Sequence, residues 1–330
     1  MARQKESWLY WALVLGIVVG AVAWSRLRQR RPVVVVYTSV EERVAAPAFL
    51  AFAQKSGVQV RPVYGQAQGR RGVANRLLAE AVNPDADVYW AADSLEAEDL
   101  SMGGRLDGYR PAEASTLPEW ARGDEWIFAG ARAHVLLVHR LRLAGRAEPR
   151  SVLELAQPRW KSDVAAAVPL EGLALAHVCA LAGKLGDAAA KDLLQRARDN
   201  GVLWEKSELD AAAAVADGKV TWALVDVTAA QAAALGKPDL FVVEPDQDAD
   251  AMGMFLLPTA AAVVRGARHG ESAHALVDEL TAQASAANAR AERLLLPASP
   301  PGKATFSASV SELRAARERL LPWLEQWARQ

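Results

Sequence analysis

A run of apolar, mostly β-branched residues directly after a proline constrains the fold of this chain most. Pro32 ends any helix before it, and residues 33–37 follow without a polar side chain. Such a run is typical of a strand buried on both faces of a parallel sheet. Thr38 and Ser39 then supply N-cap hydroxyls before an apolar-periodic segment that ends at Gly57. We therefore predict a strand followed by a helix, the first unit of an α/β sheet.

The same alternation continues along the 330 residues, a length that suggests two globular units. Strands at 58–64 and 86–90 with a helix at 72–81 complete a doubly wound parallel sheet. Further strands are predicted at 133–139, 163–168, 220–225, 241–244 and 255–257, and further helices at 173–185, 188–197, 209–215, 269–296 and 309–330. The fold class is therefore α/β, with more than one doubly wound unit.

An apolar segment precedes this α/β region. Residues 8–24 contain no charge, and as a helix they would span roughly 26 Å, close to the hydrocarbon thickness of a bilayer. We favour an uncleaved transmembrane helix, with residues 1–31 as the anchor. A cleavable signal peptide is the alternative, because Ala21, Val22 and Ala23 fit the small-residue cleavage pattern.

The distribution of charge bears on orientation and on partners. Six basic residues flank the apolar segment within residues 1–31, four of them after it, and that bias taken alone would hold the following domain in the cytoplasm. Long domains, however, translocate largely regardless of charge. Residues 32–330 carry 32 basic and 38 acidic residues, a net charge of −6. No nucleic-acid partner is therefore expected.

The order of short segments resembles the iron(III)-type branch of the class II periplasmic solute-binding proteins, the receptors of ABC importers, which also bind 2-aminoethylphosphonate or thiamine. The first matching segment is Val-Val-Val-Tyr-Thr-Ser-Val-Glu-Glu at 34–42. The others lie at 57–64, 73–80, 83–90, 151–161, 200–202, 215–220 and 257–259. No single segment is diagnostic, but their order is.

This resemblance implies two doubly wound lobes around a ligand cleft. Lobe one would comprise residues 32–132 plus 254–330, and lobe two residues 133–253. It further implies an extracytoplasmic receptor that captures a small polar solute, delivers it to an ABC permease in the inner membrane and catalyses nothing. The ligand is expected at strand C-termini and helix N-termini.

Five residues of lobe one are candidate ligand contacts. Thr38 and Ser39 open a helix after a buried strand, a position that also suits a plain N-cap. Gln66 and Arg70 belong to a glycine-rich loop that is either a cleft loop or a solvated one. Asp93 follows the third strand and would either bind a cationic group or cap the next helix.

Lobe two contributes Gly172, Lys206, Ser207 and Asp226 as candidates, although its loops depart from the resembled pattern. The hydroxyls that often follow the glycine at position 172 are absent, and residues 225–230 lack the tyrosine pair that binds ferric iron in relatives. We expect Asp226→Ala or Ser39→Ala to weaken solute binding while leaving the ligand-free melting temperature almost unchanged.

The sequence contains no clear motif for metal binding, catalysis or cofactor binding. The histidines include two i,i+5 pairs, a spacing that does not put both rings on one helix face, and no catalytic dyad, metal site or cofactor motif stands out. A sensory or structural domain that has lost its ligand is the alternative function. An enzyme on two α/β lobes is a third hypothesis.

We predict that the protein does not bind ferric iron with receptor-grade affinity, because residues 225–230 lack the paired tyrosines of relatives and no tyrosine occurs after Tyr109. Titration of the apoprotein with ferric citrate should give no phenolate-to-iron charge-transfer absorption. A visible band that saturates at one iron per chain would contradict this prediction.

Overall fold

The structure is a computed structural model that describes residues 14–19, 32–65, 72–80, 83–285, 298 and 302–330. Its strands are β1 (Val33–Thr38), β2 (Gln59–Tyr64), β3 (Val88–Ala91), β4 (Leu106–Asp107), β5 (Ile127–His139), β6 (Val164–Ala167), β7 (Leu203–Glu205), β8 (Trp222–Asp226), β9 (Leu240–Val243), β10 (Met254–Val264) and β11 (Thr305–Phe306). Its helices are α1 (residues 14–19), α2 (Glu42–Ser56), α3 (Gly72–Ala79), α4 (Ser94–Met102), α5 (Gly172–Leu185), α6 (Asp187–Asp199), α7 (Glu208–Ala216), α8 (Val227–Ala234), α9 (Gly270–Ser285) and α10 (Val310–Ala328).

The predicted membrane anchor falls mostly outside the described residues, which include only 14–19 of the apolar segment 8–24. Within the described part of the chain, no helix combines the length and the apolar character that crossing a membrane requires.

The first sheet is built around β1. This strand lies between β2 and β3 and is parallel to both, and β10 pairs antiparallel with β3. Val34 and Val36 are fully buried on one face, in a cluster with side chains of α2 and α9, while Tyr37 packs on the other face with α3 and α4. The β-branched run is therefore a strand covered on both faces, as its sequence predicts.

The second sheet repeats this arrangement. β6 is parallel to β7 and β8, and β5 pairs antiparallel with β8 and with β9. Trp160 and Trp222 meet edge to face in its core with their ring centroids 6.0 Å apart. Each sheet thus has three neighbouring parallel strands next to an antiparallel crossing strand, with β4 paired to β10 and β9 paired to β5 in addition.

β5 belongs to both sheets, and β10 returns the chain to the first one. β5 pairs with β10 up to Ala133 and with β8 from His134 onward. Both strands extend well beyond the predicted segments 133–139 and 255–257. Pro258 lies within β10 at a register shift, where a missing N–H is tolerated. Gly130, near the start of β5, has a φ of 113°, which a glycine adopts without strain.

Two helices begin at the ends of strands: α4 after Asp93, where the sequence allowed a helix cap without giving the helix bounds, and α8 after Asp226, which was not predicted. Both are short and bury mostly small or polar side chains, so their apolar periodicity is weak. The predicted helix 269–296 is observed as α9 to Ser285, and residues 286–297 lie outside the described part of the chain. α10 packs against both α5 and α4.

We predict opposite effects for two glycine-to-alanine substitutions. Gly130→Ala should destabilise the protein by about 1–3 kcal/mol, because an L side chain rarely adopts the positive φ of this residue in β5. Gly183→Ala in α5 should stabilise it by about 0.5–1 kcal/mol, because its added Cβ meets nothing within 4 Å. Urea unfolding of both variants measures the difference. Equal effects would show that the backbone of Gly130 is not constrained.

Candidate ligand-binding site

The hydroxyls of Thr38 and Ser39, at the end of β1, bind its neighbour β3 and do not cap α2, whose N-cap residue is Glu41. Thr38 Oγ1 donates to the carbonyl oxygen of Trp90 at 2.8 Å and accepts from the amide of Val40 at 3.0 Å. Ser39 Oγ accepts from the amide of Ala92 at 2.8 Å and donates to Glu96. Both side chains therefore hold together the C-terminal edge of the parallel strands, where ligands of such sheets bind.

Asp93 lies at the same edge of the sheet, where it is the N-cap residue of α4. Its Oδ1 accepts from the amide of Glu96 at 2.8 Å, so the capping role that the sequence allowed is present. The phenol of Tyr89 lies beside Glu96. Burial first, and then the neighbouring Glu96, raise the pKa of its phenol well above the ordinary 10.0. The phenol is thus neutral at physiological pH.

The second sheet contributes a buried ion pair. Arg132, on β5, donates from Nε to Asp226 Oδ2 at 2.5 Å, and the side chains are 8% and 1% exposed. Asp226 Oδ1 also accepts from the amide of Thr228 at 2.6 Å and so caps α8. Burial alone would raise the pKa of Asp226, but Arg132 and the hydrogen bonds from Thr228 outweigh it and hold the pKa below the ordinary 3.8.

A chain of polar contacts continues from Asp226 into the second unit. The amide of Asp226 donates to Glu208 at 3.1 Å, and Glu208 is 3.1 Å from His134 Nε2. The Nδ1 atoms of His134 and His177 are 2.6 Å apart, and the His177 ring stacks on Phe255 of β10. Burial, and then the charge of His134, hold the pKa of His177 well below 6.5.

The sequence carries no signal for this histidine contact, because helical spacing relates only residues three or four positions apart. His134 and His177 are 43 residues apart and lie on different elements. Among the described residues, no group of three or more His, Cys, Asp or Glu side chains has a geometry that would hold a metal ion.

Arg43 connects the two halves of this site. From α2 it donates through Nη1 to the carbonyl oxygen of Thr228 on α8 at 2.8 Å, and through Nε to Glu41 at 2.6 Å. Its Nη2 is buried and has no hydrogen-bond partner among the residues that the structure describes. No motif singled out Arg43 or Arg132, since only the folded chain brings both to residues 226–228.

The remaining predicted residues belong to other elements or lie outside the described residues. Gly172 is the first residue of α5, with a φ of 58°. Ser207 caps α7 by accepting from the amide of Asp210 at 3.1 Å, and Lys206 beside it is exposed. Gln66 and Arg70 lie outside the described residues. Of the nine candidates, Thr38, Ser39 and Asp93 therefore share one edge, and Asp226 belongs to the ion-paired half.

One expectation from the sequence is corrected here. Asp226→Ala cannot leave the ligand-free protein unperturbed, because it would leave the guanidinium of Arg132 buried without its charge partner. Asp226 is 1% exposed and holds two elements together. Ser39→Ala would likewise remove the hydrogen bond that Ser39 accepts from β3.

Two α/β sheets joined by crossing strands, with polar side chains of both meeting where they join, define the class of two-lobed binding proteins. A profile of the bacterial extracellular solute-binding protein family matches residues 104–323. The chain belongs to this family.

Relatives and solved structures agree with this assignment. The major ferric iron-binding protein of Neisseria gonorrhoeae is 25% identical over 183 residues, 53% of either chain. The Fe(3+)-binding periplasmic protein of Serratia marcescens is 28% identical over 138 residues, 40% of this chain and 39% of that protein. The alignments thus span about half the length of the curated relatives, or less.

Solved structures extend the likeness to most of the chain. Apo ferric ion-binding protein A of Pasteurella haemolytica superposes with a TM-score of 0.75 at 14% identity, over 89% of this chain and 97% of that one. Iron-bound HitA of Pseudomonas aeruginosa gives a TM-score of 0.72 at 22% identity, over 89% and 98%. At these identities the likeness establishes the two-lobed fold.

Asp226→Asn should destabilise the protein at pH 7 by about 3 kcal/mol, because it removes one charge of a buried pair. Asp226 has a lowered folded-state pKa, so its contribution is fully present above the ordinary 3.8 and is lost as the pH falls through the folded value. The variant and the wild type should therefore begin to converge in stability as the pH falls below 3.8, and should become equal only below the folded-state pKa of Asp226.

Denaturant unfolding at several pH values measures this convergence. Asp192→Asn is the matched control, since its pair with Arg196 is exposed and worth at most about 1 kcal/mol. A pH-independent difference between Asp226→Asn and the wild type would contradict the proposed role of the Asp226 charge.

Proposed function

We propose that the protein captures a small polar solute in the cleft between two lobes, formed by residues 32–132 plus 254–330 and by residues 133–253. The observation that carries the proposal is the hydrogen bond from Arg43 on α2 to Thr228 on α8, beside the buried polar cluster. The switch of β5 from one partner strand to another at residues 133 and 134 supports a division of the lobes there. Opening would bend β5 and β10, as in hinged domain closure.

We further propose that the solute is delivered to an ABC permease, and that the protein acts outside the cytoplasm. Membership in a family of extracellular solute-binding proteins supports both statements. The apolar segment 8–24 would anchor the chain to the cytoplasmic membrane, or serve as its export signal. The location would be tested by adding protease to intact spheroplasts, which should digest an exported domain.

Ferric iron is not the solute that we propose, although the relatives named above bind it. The chain has no tyrosine after Tyr109, and Tyr89 is a neutral phenol beside Glu96. The polar cluster instead offers guanidinium, hydroxyl and carboxylate groups, which suit an organic or inorganic solute held by hydrogen bonds. We assign the protein no catalytic role.

The proposal predicts that a solute will stabilise the full-length protein. At about 100 times its dissociation constant, a ligand of the native state alone adds roughly 2.7 kcal/mol. For lobes of this size that raises the melting temperature by about 5–10 °C. A thermal-shift screen of phosphonates, polyamines, thiamine, sugars and carboxylates should find at least one such class.

Small-angle scattering provides the second measurement, because a solute that binds both lobes should lower the radius of gyration. If no compound class raises the melting temperature and no small molecule co-purifies with the native protein, solute capture is wrong. A sensory or structural domain without a ligand would then be the better interpretation.

A further inference from the structure

The hydrogen-bonding capacity of Arg132 is only partly used. Its Nε donates to Asp226, and neither of its Nη groups has a hydrogen-bond partner among the described residues. The residue is only 7% exposed, but its Nη groups are not among the fully buried atoms that lack a partner, so they reach solvent at the cluster. Guanidinium N–H groups in that position are available to a solute that accepts hydrogen bonds.

Arg43, on α2 of the same proposed lobe, also has a donor that is not used. Its Nε and Nη1 donate to Glu41 and to the carbonyl oxygen of Thr228, while its buried Nη2 has no partner within the described part of the chain. The side chain is 33% exposed, so the guanidinium lies at the mouth of the cluster rather than at its base.

Both guanidiniums reach the same short segment at the start of α8. Arg132 binds the side chain of Asp226, Arg43 binds the backbone oxygen of Thr228, and the Thr228 amide donates to Asp226 at 2.6 Å. Arg43 comes from α2 and Arg132 from the crossing strand β5. Two guanidiniums from different elements therefore bind residues 226–228, and each has further donors that these contacts do not use.

The carboxylates of the cluster, in contrast, already accept hydrogen bonds. Asp226 accepts from Arg132 and Thr228, and Glu208 accepts from the amide of Asp226 and lies within hydrogen-bond distance of His134. Asp93 accepts from the amide of Glu96, and Glu96 accepts from Ser39. What the cluster lacks is therefore an acceptor for guanidinium groups.

We infer that the solute carries an oxyanion, a carboxylate or a phosphoryl group, which Arg43 and Arg132 bind together at the start of α8. This inference rests on the proposed function. A planar guanidinium matches the two oxygens of a carboxylate or phosphoryl group, and such charge-assisted bonds are stronger than neutral ones. Because Arg43 already reaches α8 only when the two halves are together, the oxyanion favours the closed arrangement.

The nearby acids also limit which solutes can bind. Asp226 and Asp93 both interact electrostatically with Arg132, and their negative charges repel an anion. An anion therefore binds favourably only where a guanidinium separates it from these carboxylates. A solute with a cationic group beside its oxyanion would meet this condition better than a plain anion. Binding of β-alanine more tightly than succinate would therefore agree with the inference.

Isothermal titration of the full-length protein in detergent tests the inference. The oxyanion probes are succinate, inorganic phosphate, methylphosphonate and β-alanine, and the controls are putrescine and glucose. We expect at least one oxyanion to bind and neither control to do so. Comparison of succinate with methylphosphonate distinguishes the carboxylate from the phosphoryl source.

Two arginine variants assign the binding to the cluster. Arg43→Gln should weaken the binding of the responding oxyanion by about tenfold to a hundredfold, through loss of a charge-assisted contact. Arg132→Lys keeps a charge for Asp226 but removes the planar donors, and should weaken binding comparably. Arg61→Gln, which removes a charge from an exposed residue of β2, is the matched control and should leave the affinity unchanged. If Arg132→Lys fails to fold, Arg43→Gln decides the question.

The outcomes separate this inference from the proposed function. Binding of putrescine or glucose alone would overturn the inference that the solute carries an oxyanion, but the proposed capture of a solute would stand. Oxyanion binding that Arg43→Gln leaves unchanged would also overturn it. If no probe binds and the native protein carries no small molecule, the inference and the proposed function fail together.

Discussion

The ion pair between Arg132 and Asp226 is the interaction on which the candidate site depends. Arg132 lies on β5 at the point where this strand leaves the first sheet, and Asp226 ends β8 of the second sheet. The pair therefore fixes the start of α8 relative to the crossing strand. Because both side chains are buried, neither charge can be removed without leaving the other unpaired, which costs more than an exposed pair contributes.

From this pair, hydrogen bonds extend in two directions. Toward the second unit they pass through Glu208 and His134 to His177, whose ring stacks on Phe255 of the other crossing strand. Toward the first sheet, Thr228 accepts from Arg43 on α2. A change at residues 226–228 is thus connected to both crossing strands, the elements that would have to bend during opening. Buried networks of this kind hold their members in defined positions because each unpaired group is costly.

The chain shares its fold with ferric-binding proteins of known structure, but this likeness does not define the polar groups of its candidate site. The two-lobed fold is shared over 89% of the chain, yet its polar side chains where the lobes meet are guanidiniums, hydroxyls and carboxylates, with one neutral phenol. A fold of this class presents strand ends and helix starts to a cleft, and the side chains placed there decide what binds.

The sequence by itself determined the strands and helices that bury an apolar face. The runs 33–37 and 220–225 are short and rich in β-branched residues, as in buried strands, and the longer apolar segment 173–185 has the length of a helix. The order of such segments also determined the family. Sequence patterns further pointed to Ser39, Asp93 and Asp226, because residues after buried strands lie at the ligand edge of a sheet.

Only the tertiary structure decided which polar groups meet. Arg132 is 94 residues from Asp226, Arg43 is 185 residues from Thr228, and His134 is 43 residues from His177. No local periodicity links residues at such separations, since their contact depends on how two sheets cross rather than on helix or strand geometry. The tertiary structure also decided the length of the crossing strands, because long-range pairing holds β5 and β10 in place through Gly130 and Pro258.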